Sequence, residues 1–184
     1  GENQVEIRAW DDEGRIVKET FTVTAEDLKN GVIGQVTISV EASVLGIPYL
    51  IPPTKMDIHQ GEKGSYIIDQ LLRQYGYSYN HTGTLENNFY LSALKKPNML
   101  SNVVIPDDLW QLVEASSTRA FRDDYSTDSL GEFDFANGSG WMFSINGDYP
   151  NYGFSDAYFL DGDVVRIRFT LHYGRDIRGF GSTG

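Results

Sequence analysis

The sequence has 184 residues, enough for one domain with its own core, and its formal net charge is −11. Such an acidic surface repels phosphate backbones and anionic lipid, so nucleic acid and membrane surfaces are not expected as partners. The chain contains no cysteine, which excludes disulfides, thiolate nucleophiles and zinc–thiolate sites, and no apolar run is long enough to cross a bilayer.

Residues 1–34 predict a small β-hairpin. Apolar and polar residues alternate over positions 5–10 and again over positions 17–23, with an acidic turn between the two stretches. Residues 24–27 are typical of a capping box that opens a short helical turn, and Gly31 ends that turn. A hairpin and one turn are too small to fold alone. We therefore interpret this segment as an N-terminal extension or as the tail of a preceding domain.

The main domain, residues 35–184, opens with a half-buried strand. Its inward residues alternate with polar ones and are Val36, Ile38, Val40 and Ala42. Residues 45–53 are apolar but interrupted by prolines, which favours an edge segment or a loop laid on the core. Alternation returns over residues 55–59 and predicts another short strand.

An amphipathic helix follows, with Ser65 as its predicted N-cap and Gly76 as the residue that stops it. Its apolar stripe is Ile67, Ile68, Leu71, Leu72 and Tyr75. Strand, turn, strand and amphipathic helix form the opening of an α+β, β-grasp-like domain, in which the helix packs on a mixed or antiparallel sheet. The side chains expected to be buried between helix and sheet are Ile38, Val40, Ile68, Leu71, Leu72, Ile167 and Phe169.

Two further elements are predicted before the C-terminal region. Residues 88–91 indicate a strand. A second helix is predicted from Pro106 to about Ala115, because proline suits the first helical position and Asp107 and Asp108 suit the positive end of the helix dipole.

Two strands are predicted in the C-terminal region, over residues 140–145 and 164–173. The inward residues of the second strand are Val165, Ile167, Phe169 and Leu171, and its outward residues are Arg166, Arg168, Thr170 and His172. Asn146-Gly147 predicts a tight reversal, since both residues tolerate positive φ. Residues 161–163 predict a turn in which Gly162 takes a positive φ.

The loop between these strands, residues 150–159 with Tyr149 before it, is rich in aromatic residues. Tyr149, Tyr152 and Phe154 lie among acidic residues, proline and glycine, where no strand period buries all three, so we expect them to form an exposed contact surface. The predicted ligand-binding residues are Trp141, Met142, Phe143, Tyr152, Gly153, Phe154 and Ser155. The competing interpretation is that Trp141, Phe143 and Tyr158 are core residues and that the loop is a spacer.

No catalytic residue is predicted. His59, His81 and His172 are scattered, and no nucleophile motif, zinc motif or phosphate loop occurs with its structural context. Nine carboxylates and no basic residue occupy positions 123–163. The acidic segment 123–134 invites a calcium interpretation, but it lacks the glycine and the terminal glutamate of an EF-hand loop, so a solvated loop is favoured. The sequence predicts neither an enzyme nor a metal site.

Several short motifs together resemble a known family. In the C-terminal region they are Gly140-Trp141, Asn146-Gly147, Gly153, Ser155-Asp156 followed by Tyr158, and Asp161-Gly162-Asp163. Upstream they are the strand at Val36, the helix at Ser65, and residues 77–83, 131–134 and 138–140. With these motifs, residues 36–178 resemble a bacterial family of exported domains of unknown function, which is related to the C-terminal domain of the cobalamin carriers transcobalamin and intrinsic factor.

The resemblance implies a β-grasp-like fold, a non-catalytic role and a place outside the cell or on the surface of a Gram-positive bacterium, with the signal segment not present in this chain. In the animal carriers this domain caps a corrinoid that a separate helical domain holds. The strand that contacts the corrinoid corresponds to Trp141, Met142 and Phe143, and the loop after it centres on Gly153. Met142 stands where those carriers place a polar amide side chain.

We therefore expect a binding module for a small flat ligand such as a corrinoid (cobalamin), with no other cofactor. The alternative is a cell-surface adhesion or interaction module that binds a protein or a cell-wall glycan.

Overall fold

The computed structural model describes residues 2–24, 31–115 and 125–179, and the chain divides into two compact units, Gly1–Val32 and Ile33–Gly184. The first unit contains the predicted hairpin, whose antiparallel strands are β1 (Glu2–Trp10) and β2 (Ile16–Thr24). The predicted helical turn falls on residues 25–30, which lie outside the described part of the chain.

In chain order the remaining elements are β3 (Val32–Ala42), β4 (Ile47–His59), α1 (Gly64–Gln74), β5 (Ser78–Thr82), β6 (Tyr90–Lys95), α2 (Asp107–Glu114), β7 (Ser129–Gly131), β8 (Gly140–Ile145) and β9 (Val164–Thr170). Four of the strands form a sheet in the order β4-β3-β9-β8, in which β9 runs parallel to β3 and antiparallel to β8. A smaller antiparallel sheet has the order β5-β6-β7. Across the described residues the chain is thus α+β, with two α-helices and nine strands in three sheets, and the larger sheet is mixed, as predicted.

The main core lies between α1 and the inner face of the four-stranded sheet. All seven side chains predicted to meet there are fully buried, so the predicted register is confirmed. The alternation of β3 is also confirmed, because its four inward residues have no exposed surface. Each side chain of this kind contributes about 1.5–3 kcal/mol when it is fully buried.

Helix α1 begins one residue before the predicted N-cap. Ser65 lies inside the first turn, buried, and its hydroxyl donates to the Leu85 carbonyl. The N–H of Gly64 donates instead to the Ala157 carbonyl at 2.8 Å, and a Cβ on Gly64 would lie 2.8 Å from the Phe159 ring. The Ala157 carbonyl therefore accepts a hydrogen bond at the start of α1, where the sequence predicted that the Ser65 side chain would cap the helix. Gly76 ends the helix as predicted, with φ of 73°.

Other boundaries differ from the prediction for local reasons. Residues 45–53 and 55–59 belong largely to one 13-residue edge strand, β4, whose position at the sheet edge accommodates its prolines. The strand predicted at residues 88–91 starts at Tyr90, because Asn88 has φ of 53°. Pro106 is the N-cap of α2 rather than its first helical residue.

The last strand ends at Thr170, three residues earlier than predicted. The Thr170 hydroxyl accepts the N–H groups of His172 (3.1 Å) and Gly174 (2.8 Å), which turns the chain, and Tyr173 has φ of 50°. The chain then folds back, and the Ile177 carbonyl accepts Nη1 of Arg168 at 2.6 Å. The Asn146-Gly147 reversal and the turn at Gly162 are confirmed by φ values of 54°, 97° and 85°.

The outer face of the sheet carries an ion cluster around one buried carboxylate, that of Glu41. The side chain of Glu41 is 5 % exposed and accepts Nε (2.8 Å) and Nη2 (2.6 Å) of Arg166, while Nε of Arg168 lies 3.5 Å from its Oε2. The Ser39 hydroxyl donates to the same carboxylate at 2.7 Å. The polar alternation of β3 and β9 thus places paired charges around a buried carboxylate on this face of the sheet.

Neither α1 nor α2, the helices of the described residues, has the length and apolar character that a membrane span requires.

Candidate functional site

A pocket of about 350 Å³ lies beside β8, which is the edge strand of the larger sheet; we call it the aromatic groove. One wall comes from residues 89–91 at the start of β6, a second from residues 141–143 of β8, and a third from the loop residues 149–154. Ile167 of β9 completes the lining. Of the thirteen described residues that line the groove, seven are aromatic and none is charged.

The structure brings six of the seven predicted ligand-binding residues to this groove. They are Trp141, Met142, Phe143, Tyr152, Gly153 and Phe154. Ser155 is buried and does not line it. The wall formed by Phe89, Tyr90 and Leu91 is absent from the prediction, because no local spacing indicates that the start of β6 faces β8.

The expected exposed aromatic cluster is wrong for Phe154. That ring is 5 % exposed and stacks on Phe143 with a centroid separation of 4.0 Å. A short 3₁₀ turn, Phe154–Asp156, directs the ring inward, which the sequence pattern of the loop does not indicate. Tyr152 is 49 % exposed, as expected, and Tyr149 is half-buried.

The competing core interpretation holds for Trp141 but not for Tyr158. Trp141 is 8 % exposed, donates from Nε1 to the Leu130 carbonyl at 3.0 Å, and meets Phe169 edge to face at 5.2 Å. Tyr158 is 56 % exposed. Trp141 therefore anchors the sheet and lines the groove at the same time.

Contacts with the segment after β9 hold the start of the loop in place. The Tyr149 hydroxyl donates to the Ile177 carbonyl at 3.1 Å and accepts Nη1 of Arg168 at 2.9 Å. A Cβ on Gly179 would lie 3.0 Å from the Tyr149 ring, so the chain passes close to that ring. The groove wall at Tyr149 is therefore fixed from behind by hydrogen bonds and close packing.

Ser155 and Gly153 join the loop to the opposite wall. The Ser155 Oγ accepts the Phe89 N–H at 3.1 Å, and a Cβ on Gly153 would lie 3.0 Å from the Phe89 carbonyl oxygen. The close approach that Gly153 permits is therefore to the backbone of Phe89, although the sequence analysis assigned Gly153 to ligand binding. Both residues set the distance between two groove walls.

Ser155→Ala is expected to lower the free energy of unfolding by about 1–3 kcal/mol, because the N–H of the buried Phe89 loses its acceptor. Urea denaturation measures this loss. Ser78→Ala, at an exposed position of β5, is the matched control and should stay within about 0.5 kcal/mol of the wild type. Equal stability of the two variants would show that the tether is dispensable.

The titratable groups near the groove are few. Burial raises the pKa of Tyr90, and the nearby negative charge of Glu132 raises the pKa further. The histidines lie elsewhere: His59 contacts Glu62 at 2.9 Å, and His81 stacks on Phe89 from outside the groove lining. Tyr90 thus remains protonated at neutral pH.

Within the described residues, no group of three or more histidine, aspartate or glutamate side chains is placed to hold a metal ion. Asp123 and Asp124 of the acidic segment lie outside those residues. Asp128 accepts the Asn98 N–H at 2.7 Å, so its carboxylate serves to fix a turn.

No protein-family model matches this sequence, and no curated protein matches it. The geometry of the groove is therefore the basis for assigning a function.

Proposed function

We propose that this chain is a non-catalytic binding module that holds a small flat ligand in the aromatic groove, and the ligand we favour is a corrinoid. The observation that carries the proposal is the convergence of six residues, chosen from the sequence alone, on one uncharged groove in which seven of thirteen described lining residues are aromatic. Aromatic faces stack on flat rings, and apolar pockets of this kind are typical of small-molecule sites.

The size of the groove fits part of such a ligand. A volume of about 350 Å³ is at the lower end of the range for small-molecule pockets. A corrinoid is much larger, so the groove would hold one edge of it and leave the remainder for a second surface. This division agrees with the role of a capping domain that the family resemblance implies.

The chemistry of the lining supports the proposed non-catalytic role. Among the thirteen described lining residues there is no carboxylate, histidine, lysine, arginine, serine or threonine. General acid–base and nucleophilic catalysis need such groups within hydrogen-bonding distance of the substrate. The described lining thus supports a role in binding more than one in catalysis.

We also propose a β-grasp-like fold and membership of the exported bacterial family, with a location outside the cell or on the surface of a Gram-positive bacterium. Three features support the fold: β9 pairs in parallel with β3, β4 lies at the edge beside β3, and α1 packs on the sheet. The absence of cysteine supports the location, since many exported proteins of Gram-positive bacteria lack disulfides.

One observation favours the alternative, a cell-surface module that binds a glycan. Tyr152 and Tyr158, which are 49 % and 56 % exposed, flank a second pocket of about 360 Å³ that also contains Asp148. An exposed aromatic face beside a carboxylate suits a sugar ring, which presents apolar C–H groups and hydroxyl donors.

Titration with cobalamin and cobinamide, followed by visible absorbance and calorimetry, tests the proposal. Tyr152→Ala is expected to weaken corrinoid binding about tenfold, which corresponds to about 1.4 kcal/mol, because an exposed stacking face is removed from the groove. The same substitution should change the free energy of unfolding by less than about 0.5 kcal/mol. Phe154→Ala is unsuitable for this test, since it removes a buried ring.

Tyr158→Ala is the matched control, because Tyr158 is as exposed as Tyr152 but does not line the groove. Corrinoid affinity should be unchanged in this variant. Absence of corrinoid binding, together with glycan-array signal that both tyrosine substitutions abolish, would favour the alternative.

A further inference from the structure

The aromatic groove adjoins a further pocket of about 260 Å³, which we call the side pocket. It is distinct from the pocket that Tyr152 and Tyr158 flank. Three residues line both pockets, namely Tyr90, Trp141 and Met142. The rest of the side pocket comes from two segments, residues 132–140 and residues 170–173. The two pockets therefore lie side by side, so a ligand in the groove lies next to the side pocket.

The side pocket is lined by aromatic rings and one carboxylate. Four of its eleven described lining residues are aromatic, namely Tyr90, Phe133, Trp141 and Tyr173. Glu132 is the charged residue of the lining, and no lysine, arginine or histidine is part of it. Aromatic rings around a carboxylate are a known arrangement for binding organic cations.

Two of these rings are held in a costly backbone conformation. Phe133 has φ of 68° and Tyr173 has φ of 50°, in the left-handed region that bulky residues rarely adopt. Neither ring is used to fill the core, because the two side chains are 52 % and 50 % exposed. Such strain is concentrated at ligand-binding sites in proteins.

Backbone hydrogen bonds connect the two segments around the side pocket. The Phe133 N–H donates to the Ser139 carbonyl at 3.3 Å, and the Tyr173 N–H donates to the Gly138 carbonyl at 2.8 Å. The backbone at both positions is thereby held to the same short stretch of chain. Backbone hydrogen bonds within the fold therefore accompany the left-handed conformation of Phe133 and Tyr173.

An unpaired hydroxyl lies in the wall of the side pocket. Ser139 is 6 % exposed, and its Oγ has no hydrogen-bond partner among the described residues. Buried polar groups without a partner are uncommon and call for an explanation. A ligand group that donates a hydrogen bond would supply the missing partner after a small rotation of the serine side chain.

The electrostatic surroundings select the charge of that ligand group. Glu132 lines the side pocket together with Tyr90, which also lines the groove, so its carboxylate lies near the boundary between the two pockets. Thr170, another lining residue, donates to the carboxylate of Asp176 directly behind it. Since no basic residue is among the described lining residues of the side pocket, the Glu132 carboxylate favours a cation over an anion there.

We propose that the side pocket binds a protonated amine, carried on an arm of a ligand whose flat part lies in the aromatic groove. The amine would contact the aromatic faces, form a charge-assisted hydrogen bond to Glu132 and donate to Ser139 Oγ. This inference rests on the proposed function of the groove, and it narrows the ligand to flat molecules with a nitrogen-bearing arm. A corrinoid amide arm is the neutral counterpart and presents N–H donors to the same acceptors.

Two probes of equal shape and different charge test the proposal in the full chain. Tryptamine carries an ammonium group on a two-carbon arm from a flat ring, and tryptophol carries a hydroxyl in the same place. Affinities are measured by NMR titration. Tryptamine is expected to bind at least tenfold more tightly than tryptophol, and Tyr152→Ala should weaken both probes.

Two variants test whether the preference for tryptamine over tryptophol arises in the side pocket. Glu132→Gln is expected to abolish the tryptamine preference and leave tryptophol affinity unchanged. Glu114→Gln makes the same change of charge at the end of α2, in neither pocket lining, and should keep the preference. A preference that survives Glu132→Gln would overturn the proposal.

Ser139→Ala separates a binding role from a structural one. The melting temperature of the free variant should equal or exceed that of the wild type, because an unpaired buried hydroxyl is removed. Tryptamine affinity should fall by about threefold or more. A lower melting temperature with unchanged tryptamine affinity would overturn the role given to Ser139.

The two proposals fail in different ways. Equal affinity for both probes, with dependence on Tyr152, would overturn the amine subsite and leave the groove as a site for flat rings. If neither probe binds while cobalamin does, the amine subsite is overturned and the corrinoid proposal stands. Absence of binding by the probes and by both corrinoids would overturn the subsite and the proposed function together.

Discussion

Replacing Phe169 with alanine is expected to lower the free energy of unfolding by about 3–5 kcal/mol, the usual cost of removing a large ring from a packed core. Phe169 has no exposed surface and meets Trp141 edge to face at 5.2 Å, so the truncation leaves a cavity beside the residue that anchors β8. Urea or thermal denaturation measures the loss.

Tyr152→Ala is the control for the stability loss expected of Phe169→Ala. Both substitutions remove one aromatic ring, but Tyr152 is half-exposed and should contribute little to stability. If Phe169→Ala costs no more than Tyr152→Ala, the core assigned between the sheet and α1 is incorrect.

A loss of about 3–5 kcal/mol is also expected when Glu41 is replaced with glutamine. The variant leaves the half-buried Arg168 without a countercharge and removes the bidentate partner of Arg166. Denaturation at neutral pH tests this expectation, with Glu114→Gln as a control for the charge change alone.

The effect of Glu41 depends on pH in a defined direction. Burial raises the pKa of this carboxyl, but hydrogen bonds from Arg166 and Ser39, with the charges of both arginines, outweigh burial and hold the pKa below its ordinary value of 4.5. Its stabilising contribution is therefore fully present above about pH 4.5 and is lost as the pH falls through the lower folded-state value. The stability difference between wild type and Glu41→Gln should narrow below about pH 4.5, and a constant difference would contradict the pairing.

Strand alternation and turn motifs predicted much of the larger sheet. The inward residues of β3 and β9 were identified correctly because one face of each strand is buried against α1, which imposes a strict period of two. Asn146-Gly147 and Gly162 were identified because their turns require positive φ, a property of the residue itself. Structure can therefore be predicted from sequence where one local requirement, such as the burial of a strand face or a positive φ, determines the residue type.

Elements that depend on distant partners could not be predicted in this way. The N–H at the start of α1 finds the carbonyl of Ala157, and the burial of Phe154 depends on Phe143, so neither follows from neighbouring residues. Strand β7 has three residues, which is too short for a period to appear, and among the described strands it pairs with the end of β6.

The candidate site shows the same division. One side of the groove, from β8 and the following loop, was predicted because its residues are close in the chain. The other side, residues 89–91, and the side pocket around Glu132 and Ser139 come from segments that the fold alone brings together. Taken separately in the sequence, these segments do not indicate a binding site. The indication comes from their positions next to one another in the folded chain.

The parallel pairing of β3 with β9 has a consequence for the order of folding. It joins residues 37–41, near the beginning of the second unit, to residues 164–168, near its end, and both strands lie at the centre of the sheet. Closing such a long loop costs chain entropy before any contact forms, and folds with distant pairings form slowly. During synthesis, the inner edge of β3 has no partner until residues 164–168 have left the ribosome. The groove, which needs both β8 and β9, is therefore completed only after synthesis of the unit is nearly finished.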